Sequence, residues 1–79
     1  MPETVHGDPA ALRRLASARM PFGRYQGWLL VDLPEPYVVW LVRHQLPEGE
    51  LGQMVLEIYE IKVNGLEPLL RKLNPDQRP

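Results

Sequence analysis

The sequence has no cysteine. Disulfide bridges, thiolate metal sites and cysteine nucleophiles are therefore excluded. A small domain without disulfide staples also suits a reducing cytoplasm better than an extracellular setting. Hydroxyl nucleophiles are almost as scarce: outside tyrosine only Thr4 and Ser17 carry one, and neither sits in a nucleophile motif. Histidine is limited to His6 and His44. They show no metal-ligand spacing and no clustered carboxylates beside them, so nothing suggests a zinc or di-metal centre. His44 falls instead near an expected helix C-terminus, where a cation meets the negative end of the dipole. No apolar run reaches the length of a membrane span. The opening MPETVHGDPAALRR has an early acid and no apolar stretch, so no signal peptide is expected. A charge bias is missing too: nine Lys and Arg face ten Asp and Glu, a net charge of −1. That balance gives no support to nucleic-acid binding, which needs cations against phosphates.

What is present is a chain of 79 residues, 44% hydrophobic, with two Trp, three Tyr and one Phe. That length is one domain, 1–79, with an ordered core over about 8–73. A chain of this size buries only about 60% of the surface its unfolded form exposes, so its core must be efficient.

Helical patterns dominate. Asp8 stands at an N-cap position and Pro9 at the first helical position, followed by Ala11, Leu12, Leu15 and Ala16 at helical spacing. This predicts a helix over about 9–18 with Arg13 and Arg14 facing water. A second helix is predicted from Pro36 to near His44, with Glu35 as its cap. Tyr37, Val38, Leu41 and Val42 form one face, and Val39 with Trp40 makes it apolar nearly all round, as in a sandwiched helix. The third and longest, from about Pro47 to Asn64, carries the seam Leu51, Met54, Val55, Ile58, Ile61 and Lys62. Glu48, Glu50, Glu57 and Glu60 form a solvated face, and Asn64-Gly65 supplies a left-handed stop with Leu66 packing back. LEPLLRKL then gives one or two turns, closed by Asn74-Pro75.

Between the first two helices lies MPFGRYQGWLL. RMPF and WLLV are short apolar flanks around GRYQG, whose glycines accept positive φ at little cost. They predict a β-hairpin with Pro21 on an edge strand. The expected fold is therefore α+β: a small single domain with a two-stranded antiparallel hairpin packed on three or four helices.

The chemistry on offer is narrow. Asp32 and Glu35 could form an acid–base pair, yet Asp32 ends the hairpin and Glu35 caps a helix. GRYQG lacks the Lys-Ser/Thr ending of a phosphate-binding loop, and Gly23 and Gly27 answer to turn geometry. No enzyme activity, cofactor, metal or small-molecule substrate is expected. The loop itself remains as a binding surface. Arg24, Tyr25 and Trp28 have the composition of an interface hot spot and equally of a base-stacking platform. They are also residues that a small core uses for packing.

MPFGRYQG, followed by LLVDLPEPYVVWL, LPEGELG and YEIKVNGLEPL, resembles a family of small bacterial proteins of unknown function labelled "putative quorum-sensing-regulated virulence factors". The resemblance runs from about Met20 to Leu70. Over residues 20–41 the MPFG-basic-Tyr element also resembles the C-terminal domain of exonuclease-X-like proteins. That second resemblance implies an accessory domain helping a nuclease engage nucleic acid or protein, and it points to Phe22, Gly23, Arg24, Tyr25 and Gly27. The chain departs from the common GKYKG pattern: Gln26 removes one cation, and Trp28 replaces a basic or polar residue. Both departures favour a protein-binding hairpin over a phosphate site.

The expected function is a non-catalytic cytoplasmic interaction module working through Arg19, Phe22, Gly23, Arg24, Tyr25, Gly27 and Trp28. A protein partner or a second copy of the chain is preferred, and no membrane contact is expected. The alternative is a nucleic-acid-binding accessory module with Arg19 and Arg24 on phosphates and Tyr25 stacking.

Overall fold

A computed structural model describes residues 9–74. Thr4, His6 and the expected cap Asp8 lie outside the described residues, as do Pro75 and the tail that follows it. Four α-helices follow in order: α1 (Pro9–Ser17), α2 (Glu35–His44), α3 (Gly49–Val63) and α4 (Glu67–Arg71), with one 3-10 turn (Leu30–Asp32) between α1 and α2. None is long and apolar enough to cross a membrane.

α1 buries Leu15 and Ala16, and Arg13 and Arg14 are exposed. α3 buries Val55, Ile58, Ile61 and Lys62 along the expected seam, with Leu51 and Met54 half-buried at its start. Its other side is solvated at Glu50 and Glu60, whereas Glu57 is half-buried. The helix ends as its sequence dictates. Gly65 takes φ +69°, the Leu66 N–H reaches back to the Ile61 carbonyl at 2.9 Å and the Gly65 N–H to that of Lys62 at 3.1 Å. This pair of bonds satisfies carbonyls that a helix end otherwise leaves open. At the other end, Gly52 is required by space: a Cβ there would stand 2.0 Å from the Pro47 carbonyl oxygen.

The 3-10 turn is the hub of the core. Leu29, Leu30, Val31 and Leu33 are all buried, and the turn touches α1, α3 and α4, while α2 packs on α3. Its Val31 carbonyl meets cations from elsewhere in the chain. The Lys62 ammonium, buried at the end of the α3 seam, donates to the Val31 carbonyl at 2.8 Å and lies 3.7 Å from Glu67. Arg71 of α4 pairs with Asp32 and also donates to Val31 at 3.4 Å. Lys62 therefore closes the seam because a buried ammonium with a carbonyl and a carboxylate beside it is a satisfied group. Asn74 does the same for α1, donating from a buried position to the Ala16 carbonyl at 3.0 Å.

The α+β expectation is corrected to all-α. Among the described residues there is no strand, and the flanks of GRYQG meet only in an isolated antiparallel bridge, Arg19 with Leu29. Pairing fails on both sides of that bridge. Toward the tip, the Gly27 N–H bonds to the Met20 carbonyl while the Met20 N–H bonds to the Trp28 carbonyl, each at 2.8 Å. Two residues thus oppose one, a bulge with a positive-φ glycine (Gly27, +89°) at its first position. The next residue, Pro21, has no N–H to continue a ladder. On the other side the chain must bury consecutive residues Leu29, Leu30 and Val31, which an alternating strand cannot do on one face; coiling into a 3-10 turn does.

Two smaller corrections concern α2. Glu35 is its first residue rather than its cap, Pro34 holding that position. Nor is the helix sandwiched: it buries only Val38 and Leu41, and Trp40 is 44% exposed.

Candidate interaction surface

The loop from Pro21 to Trp28 is held as a compact unit by its own backbone. The Gln26 N–H bonds to the Gly23 carbonyl at 3.1 Å and the Trp28 N–H to that of Tyr25 at 3.0 Å. Gly23 at φ +81° and Gly27 at +89° adopt angles that side chains resist. Arg19 braces the exit, donating from its guanidinium to the Gly27 carbonyl at 2.7 Å.

This frame fixes the direction of the aromatic side chains. Phe22 and Trp28 are 51% and 46% exposed, so neither is a core residue. Tyr25 is half-buried and packs against the edge of the core. Its ring meets Trp28 edge-on at 4.8 Å and 75°, and the Arg24 guanidinium lies over it at 5.5 Å. On its other side Tyr25 meets Tyr37 of α2 at 4.6 Å and 54°. Tyr37 stacks with Trp40 at 6.2 Å and 18°, and Trp40 meets His44 at 6.1 Å. Trp28, Tyr25, Tyr37, Trp40 and His44 therefore form a continuous row of rings running from the loop onto α2. Each aromatic contact contributes on the order of 0.5–1.5 kcal/mol, enough to hold the row in place.

Of the expected site residues, Arg24, Tyr25 and Trp28 come together. Phe22 lies on the same exposed loop but outside the ring contacts. Gly23 and Gly27 shape the turn, and Arg19 holds the loop through Gly27. The sequence reading missed the α2 half of the surface. The signal was there: Tyr37, Trp40 and His44 stand at i, i+3 and i+7, one helical face offset from the buried Val38 and Leu41.

Elsewhere, α1, α3 and α4 enclose an open groove of about 160 Å³ walled by Leu12, Ile61, Leu66, Leu69, Leu70 and Leu73. Among the described residues no cluster of His, Cys, Asp or Glu could hold a metal ion.

A family model described as "Putative quorum-sensing-regulated virulence factor" matches residues 8–73. The chain is also 41% identical over 63 residues to "Uncharacterized protein YpeB" of Escherichia coli K12, covering 78% of this chain and 88% of that one. The protein of that name in Escherichia coli O157:H7 matches to the same extent. None of these matches is an exonuclease-X-like protein. No solved structure matches the chain significantly.

Proposed function

The chain belongs to the family described as "Putative quorum-sensing-regulated virulence factor", and from that premise we propose a non-catalytic cytoplasmic module that engages a protein partner through its aromatic row. The family description names a setting and no mechanism, so the mechanism is read from the surface. One observation carries it: Trp28 and Trp40, each nearly half exposed, are the outward rings of a row braced by Tyr25 and Tyr37. Tryptophan, tyrosine and arginine are the residue types that dominate protein hot spots, and pre-ordered rings lose little entropy on docking.

The nucleic-acid reading draws on the same Arg24 and Trp28. Two features count against it. Arg19, one of its two expected phosphate ligands, is engaged with the Gly27 carbonyl. The ring of Tyr25 is enclosed by Trp28, Tyr37 and Arg24, leaving a poor platform for a base. Self-association has separate support from the leucine-walled groove, and sedimentation over a concentration series tests it.

The test of the main reading is affinity capture from bacterial extract with the wild-type chain and with a Trp28→Ala, Trp40→Ala double variant. The expected result is a protein retained by the wild type, lost with the variant and insensitive to nuclease. Capture that nuclease abolishes points to the nucleic-acid reading, and capture unchanged by the double substitution removes the row as the site.

A further inference from the structure

We propose that Asn64-Gly65, the joint between α3 and α4, is a deamidation site that the native helix cap holds closed, and that its conversion to isoaspartate loosens α4. The inference is independent of the aromatic row.

The chemistry lies in the sequence. In an Asn-Gly pair the glycine peptide nitrogen attacks the asparagine Cγ. A C–N bond forms and ammonia leaves. Water then opens the five-membered imide at either carbonyl, giving aspartate or isoaspartate. Glycine permits this because no side chain shields its nitrogen. The sequence has two asparagines, and only Asn64 has such a neighbour: Asn74 is followed by Pro75, whose nitrogen carries no hydrogen. Water reaches the joint, since Asn64 and Gly65 are both exposed and a Cβ on Gly65 would meet nothing within 4 Å.

The fold holds the reacting groups apart. Ring closure needs the Gly65 nitrogen to rotate over the Asn64 Cβ. At the observed ψ of 2° it eclipses the Asn64 backbone nitrogen instead. The Gly65 N–H, whose proton must be lost for attack, donates to the Lys62 carbonyl at 3.1 Å. The carboxamide is drawn back along the helix, donating from Nδ2 to the Glu60 carbonyl at 2.9 Å. Beyond the glycine, the Leu66 N–H is tied to the Ile61 carbonyl at 2.9 Å. Attack therefore requires the last turn of α3 to open, a local event whose cost is set by these few bonds.

Conversion then undoes the cap. Isoaspartate routes the main chain through Cβ, which lengthens the backbone between α3 and α4. The Gly65 and Leu66 N–H groups move out of register with the Lys62 and Ile61 carbonyls, and the Nδ2 donor to Glu60 is gone. A new carboxylate sits at the negative end of the α3 dipole, where it is unfavourable. α4 begins just beyond, at Glu67, and the cap sets its approach to α3 through the Lys62–Glu67 pair at 3.7 Å. Without that fixed entry α4 opens more often.

The experiment holds the full chain at mildly alkaline pH with and without denaturant and reads isoaspartate by peptide mapping. The expected product forms at position 64 in denaturant and more slowly in the native chain, by on the order of tenfold or more, as two cap bonds imply. Asn64→Gln should abolish it. The aged form is then separated by ion exchange, and its amide hydrogen exchange is compared with that of the fresh chain. Exchange over residues 66–73 should be faster by a similar factor, with the rest of the core less affected. Equal rates with and without denaturant would show that the cap is no lock. Product at another position, product surviving Asn64→Gln, or unchanged exchange over residues 66–73 would equally overturn the proposal.

Discussion

Residues 21–28 and residues 29–33 are adjacent, both rich in large apolar side chains, and they end on opposite sides of the protein surface. In the second stretch Leu29, Leu30, Val31 and Leu33 are each at most 3% exposed, coiled into a turn that three helices cover. In the first, two positive-φ glycines and a bulge turn Phe22 and Trp28 outward. Hydrophobicity alone does not separate them. Backbone geometry does: a run of consecutive apolar residues coils and is buried, while apolar residues spaced by glycine and proline are displayed. The first stretch is therefore free to serve recognition, and the second to hold the molecule together.

Substitutions should divide along the same line. The largest effect is expected in the hub. Leu30→Ala removes a fully buried side chain, and a loss of about 2–5 kcal/mol is expected from lost transfer energy and the cavity left behind. Chemical denaturation reads this directly. Next comes Lys62→Met, which keeps the buried stem but removes the donor to the Val31 carbonyl; a cost of about 1.5–3 kcal/mol is expected for a charge-assisted bond. A smaller change would mean that Arg71 takes over the carbonyl. On the row, Trp40→Ala should cost stability only about 1–2 kcal/mol, the scale of its two ring contacts, to Tyr37 and His44. For a domain of this size that lowers Tm by roughly 4–16 °C. The smallest effect belongs to Asp32→Asn, which breaks an ion pair with Arg71 that is more than a third exposed. Such pairs are worth about 0–1 kcal/mol and are screened by salt, so the difference from wild type should shrink in high salt.

The helices were legible in the sequence because their signals are local. Pro9 and the Leu15–Ala16 pair placed α1, and the seam from Leu51 to Lys62 placed α3. Asn64-Gly65-Leu66 placed its end. The seam even carried its terminal charge, although the partner that justifies burying Lys62, the Val31 carbonyl, is 31 residues away and invisible to spacing. The hairpin was misread for a related reason. Glycines flanked by apolar runs signal chain reversal, and the chain does reverse, closing on the Arg19–Leu29 bridge. Whether strands extend from a reversal depends on what covers the flanks, and here α1, α3 and α4 demand that neighbouring residues be buried together. α2 was read as sandwiched because its composition is apolar all round. Among the described residues no further layer covers Trp40. The candidate site was accordingly half legible: its loop residues were named, while its continuation along Tyr37 and Trp40 was assigned to packing and His44 to the helix dipole.

The central claim is that the aromatic row is a recognition surface separable from the core. The most direct measurement compares wild type with the Trp28→Ala, Trp40→Ala double variant for thermal unfolding and for partner capture on the same preparations. The expected result is a cooperative transition lowered by no more than about 25 °C, as three ring contacts of about 1 kcal/mol each imply for a domain of this size, together with loss of the captured protein. A variant that no longer folds, or one that folds and keeps its partner, would contradict it.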